Sequence, residues 1–294
     1  MNEPLANWNG VMLPLSEVRV SVRDRAFLFG DAIYEVLRVY GGRPFLCTEH
    51  FQRLRRSLAE IEIVCEVDRL LDRMQHTLRQ SGVSEGTIYI QITRGEAPRT
   101  HHFPDPPTIP NELIYVSRLE RDPYAEYRAA GARVVTVPDW RWERCDIKSV
   151  NLLANCLAAQ RAHAAGCVEA LLVAPDGAIT EGSHTSLFGV RDGRILTTPL
   201  GTSILPGITR ALVTRLAARA GLPLHEVSVR QAELDQVDEL FLTGTSSEVL
   251  PIVRVDEHVI GDGRPGPITQ RLQRGYAEFV AEWLSAPEAS DVSV

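Results

Sequence analysis

Lys148, in RCDIKSVNLL (144–153), is the only lysine in a chain whose lysines and arginines together number 31. Arginine fills every other cationic position. A surface cation tolerates arginine, so a lysine that survives alone points to chemistry that guanidinium cannot perform. Arginine stays charged and is a poor nucleophile, whereas a lysine amine can lose its proton and form an imine with an aldehyde. Codon bias that leaves one stray surface lysine is the competing reading. The neighbours Ile147 and Val150, ahead of an apolar stretch, favour chemistry.

An imine-forming lysine suggests pyridoxal phosphate, which also needs an acid facing its pyridine nitrogen and a cradle for its phosphate. Glu181, in AITEGSHTSLFGV (178–190), ends a short strand before a Gly-Ser turn and could be that acid. Taken without Lys148, it would read as a solvated turn residue. Two segments could hold a phosphate. Leu205-Pro206-Gly207-Ile208-Thr209 opens a helix, where free N–H groups and the helix dipole favour an anion. Gly244-Thr245-Ser246-Ser247 follows a buried strand and could form a second nest of donors. Arg53 could add counter-charge, and a solvated arginine on a helix that carries several is an equal reading. PRTHHFP (98–104) reads as a mobile Pro-rich loop. Its adjacent histidines could suggest a metal, but no carboxylate or cysteine cluster accompanies them, so no metal is expected.

These residues need elements to position them. Ile33–Tyr40 reads as a strand turned by Gly41-Gly42. Thr48 can cap a helix with Phe51, Leu54, Leu58 and Ile61 on one face. A second helix from about Asp68 shows Leu71, Met74 and Leu78. Thr87–Thr93 alternates Ile88, Ile90 and Ile92 against polar partners, as a half-buried strand does, and Glu112–Ser117 is another strand. Residues 120–131 are polar, carry a proline and read as a linker. After it come a strand over 132–137, a helix over 149–165 stopped by Gly166, and short strands punctuated by Pro175-Asp176-Gly177 and Arg191-Asp192-Gly193. A helix over 208–220, a buried strand over 239–243, a helix near 268–283 and a polar tail after Leu284 complete the chain. The pattern is α/β (α+β) in two domains, 1–119 and 132–294. It is not the strict strand-helix alternation of a doubly wound sheet.

Composition narrows the function. The net charge of −7 argues against a protein built to coat nucleic acid. No apolar run reaches membrane-spanning length, and MNEPLANWNG lacks the features of a signal peptide. Five scattered cysteines without C-x-x-C pairs suit a reducing, cytoplasmic setting.

The whole pattern resembles the fold-type IV (class IV) pyridoxal-phosphate aminotransferases, and among them the bacterial D-amino acid aminotransferases. The resemblance is carried by DRAFLFGDAIYEVLRVYGG (24–42), EHFQRL (49–54), YIQITRGEAPRTHHFP (89–104), RWERCDIKSVNLL (141–153), GCVEALLV (166–173), TEGSHTSLFG (180–189), ILPGITR (204–210) and DELFLTGTSSEVLPI (238–252). It implies a two-domain fold with the cofactor in the interdomain cleft, and Lys148 as the Schiff-base lysine. It makes Glu181 the partner of the pyridine nitrogen and assigns the phosphate to Arg53, Ile208, Thr209 and Thr245, with Gly244 in the same turn. Leu205 would pack on the cofactor ring. Tyr34 and the R-x-H pair Arg99 and His101 would hold the substrate α-carboxylate, the pair reaching in from the neighbouring subunit of a homodimer. An arginine grips a carboxylate with two prongs and a histidine N–H adds a third donor. Where the family commonly has an asparagine after TEG, this chain has Ser186, which offers a smaller hydrogen-bonding set.

The implied reaction is ping-pong transamination between a D-amino acid, D-alanine or similar, and a 2-oxo acid, 2-oxoglutarate or pyruvate. A branched-chain L-aminotransferase, an (R)-amine transaminase and an aminodeoxychorismate lyase are the alternatives within the same fold. The R-x-H pair counts against the first two, and the lyase would eliminate pyruvate instead of moving an amino group.

Overall fold

Strand alternation builds the first sheet. The computed structural model describes residues 3–287, so the end of the polar tail lies outside the described residues. The chain folds as two compact units: residues up to Arg121 together with Ile147–Asn151, and Asp122–Asp146 together with the remainder from Leu152.

The first unit has a six-stranded sheet from β1 (Leu5–Trp8), β2 (Val11–Pro14), β3 (Ala32–Tyr40), β4 (Arg43–Pro44), β5 (Gly86–Thr93) and β6 (Asn111–Arg118), ordered β2-β1-β6-β5-β3-β4. Its helices are α1 (Arg25–Phe29), α2 (Cys47–Glu60) and α3 (Val67–Ser81). The expected period of two holds in β5. Ile88, Ile90 and Ile92 are fully buried in a core that α2 enters with Phe51, Leu54 and Leu58, and α3 with Leu70, Met74 and Leu78. Leu70, rather than Leu71, is the deep residue of α3, and Leu71 only packs against the cluster. The other face of the sheet carries a ladder of Tyr34, Tyr89 and Tyr115, with ring centroids 5.8 and 4.9 Å apart. Helix α2 begins at Cys47, not after a Thr48 cap. Its cap position is Leu46, in the left-handed region at φ 51° without a side-chain cap bond.

The second unit has a nine-stranded sheet from β7 (Ala132–Pro138), β8 (Glu169–Val173), β9 (Ile179–Gly182), β10 (Ser186–Arg191), β11 (Arg194–Thr197), β12 (Leu224–Glu226), β13 (Glu239–Gly244), β14 (Glu248–Val255) and β15 (His258–Val259). Its order is β12-β11-β10-β13-β14-β7-β8-β9, and β15 pairs with β14. The helices are α4 (Ala125–Ala130), α5 (Leu153–Ala164), α6 (Ile208–Arg219) and α7 (Pro267–Ser285). Most of the segment read as a linker, from Asp122 on, belongs to this unit and holds α4.

The helix expected over 149–165 starts only at Leu153. Before it, Ile147–Asn151 runs along β3. Tyr34 N donates to Lys148 O at 3.0 Å, Val150 N to Ala32 O at 3.2 Å, and Ile33 bridges Ser149. Ile147 is buried in the first core. Amides bonded to a strand are not available for i→i−4 helical bonds, so strand pairing overrides the apolar periodicity here.

Candidate active site

Lys148 owes its position to backbone contacts. Besides the bond from Tyr34, its own N–H donates to Ser57 Oγ on α2 at 3.3 Å. Its side chain is half-buried, with Nζ 4.2 Å from the centroid of the Tyr34 ring. The structure therefore brings two of the expected residues together on the tyrosine-bearing face of the first sheet.

Arg53 sits one turn before Ser57 on α2 and is buried. Its Nε and Nη2 donate to the two oxygens of Glu35 at 2.7 and 2.8 Å, and His50 Nδ1 contacts the same carboxylate at 2.7 Å. Burial alone would raise the Glu35 carboxyl, yet the charge and hydrogen bonds of Arg53, with His50, hold it well below the usual carboxylate range. A fork bonded to both carboxylate oxygens has a fixed plane, so Glu35 orients Arg53. Sequence reasoning passed over Glu35 and His50. The available signal was a charged residue inside an apolar strand that alternation turns towards the core.

Arg99 and His101 lie in the stretch after β5 that forms no helix or long strand, and both side chains are exposed. Their ring contacts are with Phe29: the Arg99 Cζ is 5.3 Å and the His101 ring 5.6 Å from its centroid.

The second unit holds the other expected residues. Glu181, on β9, is 5 % exposed. Its oxygens accept from Leu205 N at 3.2 and 3.3 Å, and Arg141 Nη1 donates to Oε1. Arg141 is held in turn by Asp139, through Nε at 2.9 Å and Nη2 at 2.8 Å, and Thr180 Oγ1 donates to Asp139 at 2.7 Å. Burial pushes the Glu181 carboxyl up to about 7, against the pull of Arg141. Burial acts on Asp139 too, but its bonds to Arg141 and Thr180 prevail and hold it below its ordinary value. Arg141 and Asp139 escaped sequence reasoning because Arg141 meets its carboxylate forty residues away.

Two sets of anion donors accompany Glu181. Helix α6 starts at Ile208 behind Gly207, with no side-chain cap, so the N–H groups of Ile208 and Thr209 have no carbonyl a turn above them. Thr245–Ser247 form the hairpin turn between β13 and β14. On its flanks the hydroxyls of Thr243 and Ser247 are buried without a partner. Both glycines leave room that a side chain would take. An added Cβ would come within 2.7 Å of Ser186 Oγ at Gly207, and within 2.7 Å of Ser247 Oγ at Gly244. Ser186, the departure from the family pattern, thus packs over the cap of α6.

Comparison with known proteins places this arrangement. The family model "Amino-transferase class IV" matches residues 32–255. The chain is a class IV aminotransferase. It is 38% identical over 274 residues, 92% of its length and 96% of the relative's, to a D-alanine aminotransferase of Staphylococcus haemolyticus. Its fold is similar to that of a T.th. branched-chain amino acid aminotransferase with pyridoxamine 5'-phosphate, with a TM-score of 0.86 and 30% identity covering 96% of this chain and 95% of that one. It is also similar to the 4-amino-4-deoxychorismate lyase of Pseudomonas aeruginosa, with a TM-score of 0.80 and 26% identity covering 93% and 98%. The aminotransferase therefore has the mixed α/β architecture and the enzyme class expected from its sequence. Among its described residues no helix is long and apolar enough to cross a membrane.

Proposed function

We propose that this class IV aminotransferase moves an amino group between a D-amino acid, D-alanine or similar, and a 2-oxo acid such as 2-oxoglutarate or pyruvate, with pyridoxal 5'-phosphate as cofactor. Relatives named D-alanine aminotransferase, matched along nine-tenths of the chain, carry the choice of a D-amino acid. The donor chemistry supports the cofactor. The chain has one amine side chain for its aldehyde, a buried acid for its ring nitrogen, and N–H and hydroxyl groups at two glycine turns for its phosphate.

When bound, pyridoxal phosphate supplies an electron sink for the bond broken at the substrate α-carbon. Lys148 Nζ would hold the group through its aldehyde and, once released, would take the substrate α-proton and return it, serving first as base and then as acid. Glu181 would accept a hydrogen bond from the ring nitrogen, and Arg141 holds that carboxyl in place. The N–H groups of Ile208 and Thr209, the Thr209 hydroxyl, the Gly244-Thr245 turn and Arg53 would bind the phosphate, and Leu205 would pack on the ring. Tyr34, Arg99 and His101 hold the substrate carboxylate.

The reading includes a homodimer in which Arg99 and His101 serve the neighbouring active site. Their exposure supports this, as do Val22 and Phe27 nearby in the first unit, 70 % and 71 % exposed. A cytoplasmic setting accords with five free cysteines.

Incubation with D-alanine and 2-oxoglutarate, followed by chiral amino-acid analysis, tests the reaction. D-glutamate is the expected product. L-glutamate would mean an L-aminotransferase, and pyruvate release from aminodeoxychorismate without amino transfer would mean the lyase. The phosphate cradle is tested separately. Gly244→Ala should weaken cofactor binding about tenfold, or about 1.4 kcal/mol, because the new methyl meets Ser247 Oγ. Titration of the cofactor-free protein reads this change, and an unaltered Kd would remove Gly244 from the phosphate site.

A further inference from the structure

The first unit contains a charged assembly that the proposed reaction does not use. Arg25, the first residue of α1, is 2 % exposed. Its Nε donates to Asp31 Oδ2 at 2.7 Å, its Nη1 to the carbonyl of Thr100 at 2.7 Å, and its Nη2 to the carbonyl of His101 at 3.4 Å. Asp31 Oδ2 also accepts from Arg94 Nε at 2.7 Å. Arg94 then reaches the end of α2 and its following turn, donating to the carbonyls of Ile61 and Glu62. The ring of Phe29 lies 4.8 Å from the Arg25 Cζ on one side. Its contacts with Arg99 and His101 complete the assembly.

Thr100 is the residue between Arg99 and His101. The loop's pairing with the segment before α1 reaches Ala97, whose N–H donates to Arg23 O at 3.3 Å, and beyond it a short turn follows in which Thr100 N donates to Pro98 O at 2.8 Å. An exposed loop of this kind samples many backbone states unless something outside it restricts them. Arg25 supplies that restriction. It binds two consecutive carbonyls from a buried position, so the peptide between Thr100 and His101 cannot rotate without breaking a charge-assisted bond. Phe29 contacts the two side chains on either side of Thr100, Arg99 and His101.

We infer that Arg25, with Phe29 as its platform, is a positioning residue for recognition of the substrate carboxylate. It holds Arg99 and His101 at a fixed spacing so that one carboxylate can meet both. The inference rests on the carboxylate-binding role given to that pair above. Asp31 retains Arg94 when Arg25 is removed, so the change does not leave a buried carboxylate without a cation.

The test compares Arg25→Met, Arg25→Lys, Phe29→Leu and Arg99→Ala as holoenzymes. It measures kcat and KM for D-alanine, the Kd for propionate as a carboxylate lacking the amino group, and cofactor retention. Arg25→Met should raise KM and the propionate Kd by about 10- to 100-fold, the range for misplacing a binding group by about 1 Å. Its kcat should stay within about threefold and its cofactor retention unchanged, the pattern of lost uniform binding. Arg25→Lys should recover part of the loss, since an ammonium can reach one carbonyl but does not fork to two. Phe29→Leu keeps every ion pair and should shift the same two constants by about threefold; it decides the matter if Arg25→Met does not fold. Wild-type propionate binding in the Arg25 and Phe29 variants, with weak binding in Arg99→Ala, would overturn the inference and leave the role of Arg99 intact. Wild-type binding in Arg99→Ala itself would overturn that role, and the inference with it.

Discussion

Lys148→Arg should leave a folded protein with at least about a thousandfold less transaminase activity, within the range a lost proton-transfer group accounts for. The imine is lost with it, because guanidinium remains protonated and does not add to an aldehyde. The fold should tolerate the change. The segment is held through the Lys148 carbonyl and N–H, through Val150 N and through buried Ile147, none of which involves the amine. Wild-type protein should be yellow, and borohydride reduction followed by digestion should place a pyridoxyl tag on the peptide spanning Lys148. The variant should be colourless after dialysis and melt within a few degrees of wild type. A variant that keeps colour and turnover would end the proposed role of Lys148.

Glu181→Gln should produce the second large effect, on both activity and pH dependence. The amide still accepts the Leu205 N–H but brings no charge to a ring nitrogen. A loss of about 10²- to 10³-fold in kcat is expected, comparable to removing one preorganised electrostatic partner. The stability effect has a definite sign. Glu181 in the folded chain titrates at about 7, above its ordinary value of 4.5. Between these values the folded state keeps a proton that the unfolded chain has lost. Stability of the cofactor-free protein therefore falls as pH rises through this window. The shift corresponds to about 3 kcal/mol from this group. Urea unfolding of the cofactor-free protein at pH 4.5 and pH 7 should show this decline in wild type and a shallower one in Glu181→Gln. Equal slopes would mean that Arg141 keeps the carboxylate ionised throughout.

The two residues differ in how they could be found. Lys148 was legible from composition, because a single amine among arginines needs no knowledge of its surroundings. Glu181 was legible only once that amine called for an acid. Its raised pKa was not legible at all, since it follows from burial that outweighs the lowering pull of Arg141 and the Leu205 N–H. The helix start at Ile208 and the glycine turn at Gly244 were readable for the same local reason: caps and turns depend on neighbours within a few residues.

What the amino-acid order determined by itself was therefore periodic or local. The alternation of Ile88, Ile90 and Ile92, the stripe of Phe51, Leu54 and Leu58 on α2, and the stop at Gly166 all follow from side-chain direction and φ preference. Tertiary structure decided where Val150 sends its amide and Lys148 its carbonyl, exchanging an expected first helical turn for strand pairing with β3. It also chose the partner of each buried charge: Arg53 for Glu35, Arg141 for Glu181, and Arg25 for Asp31 and the carbonyls beside the R-x-H pair. A buried ion must find its counter-charge in space. In a chain of some thirty arginines, residue type alone does not say which one will arrive.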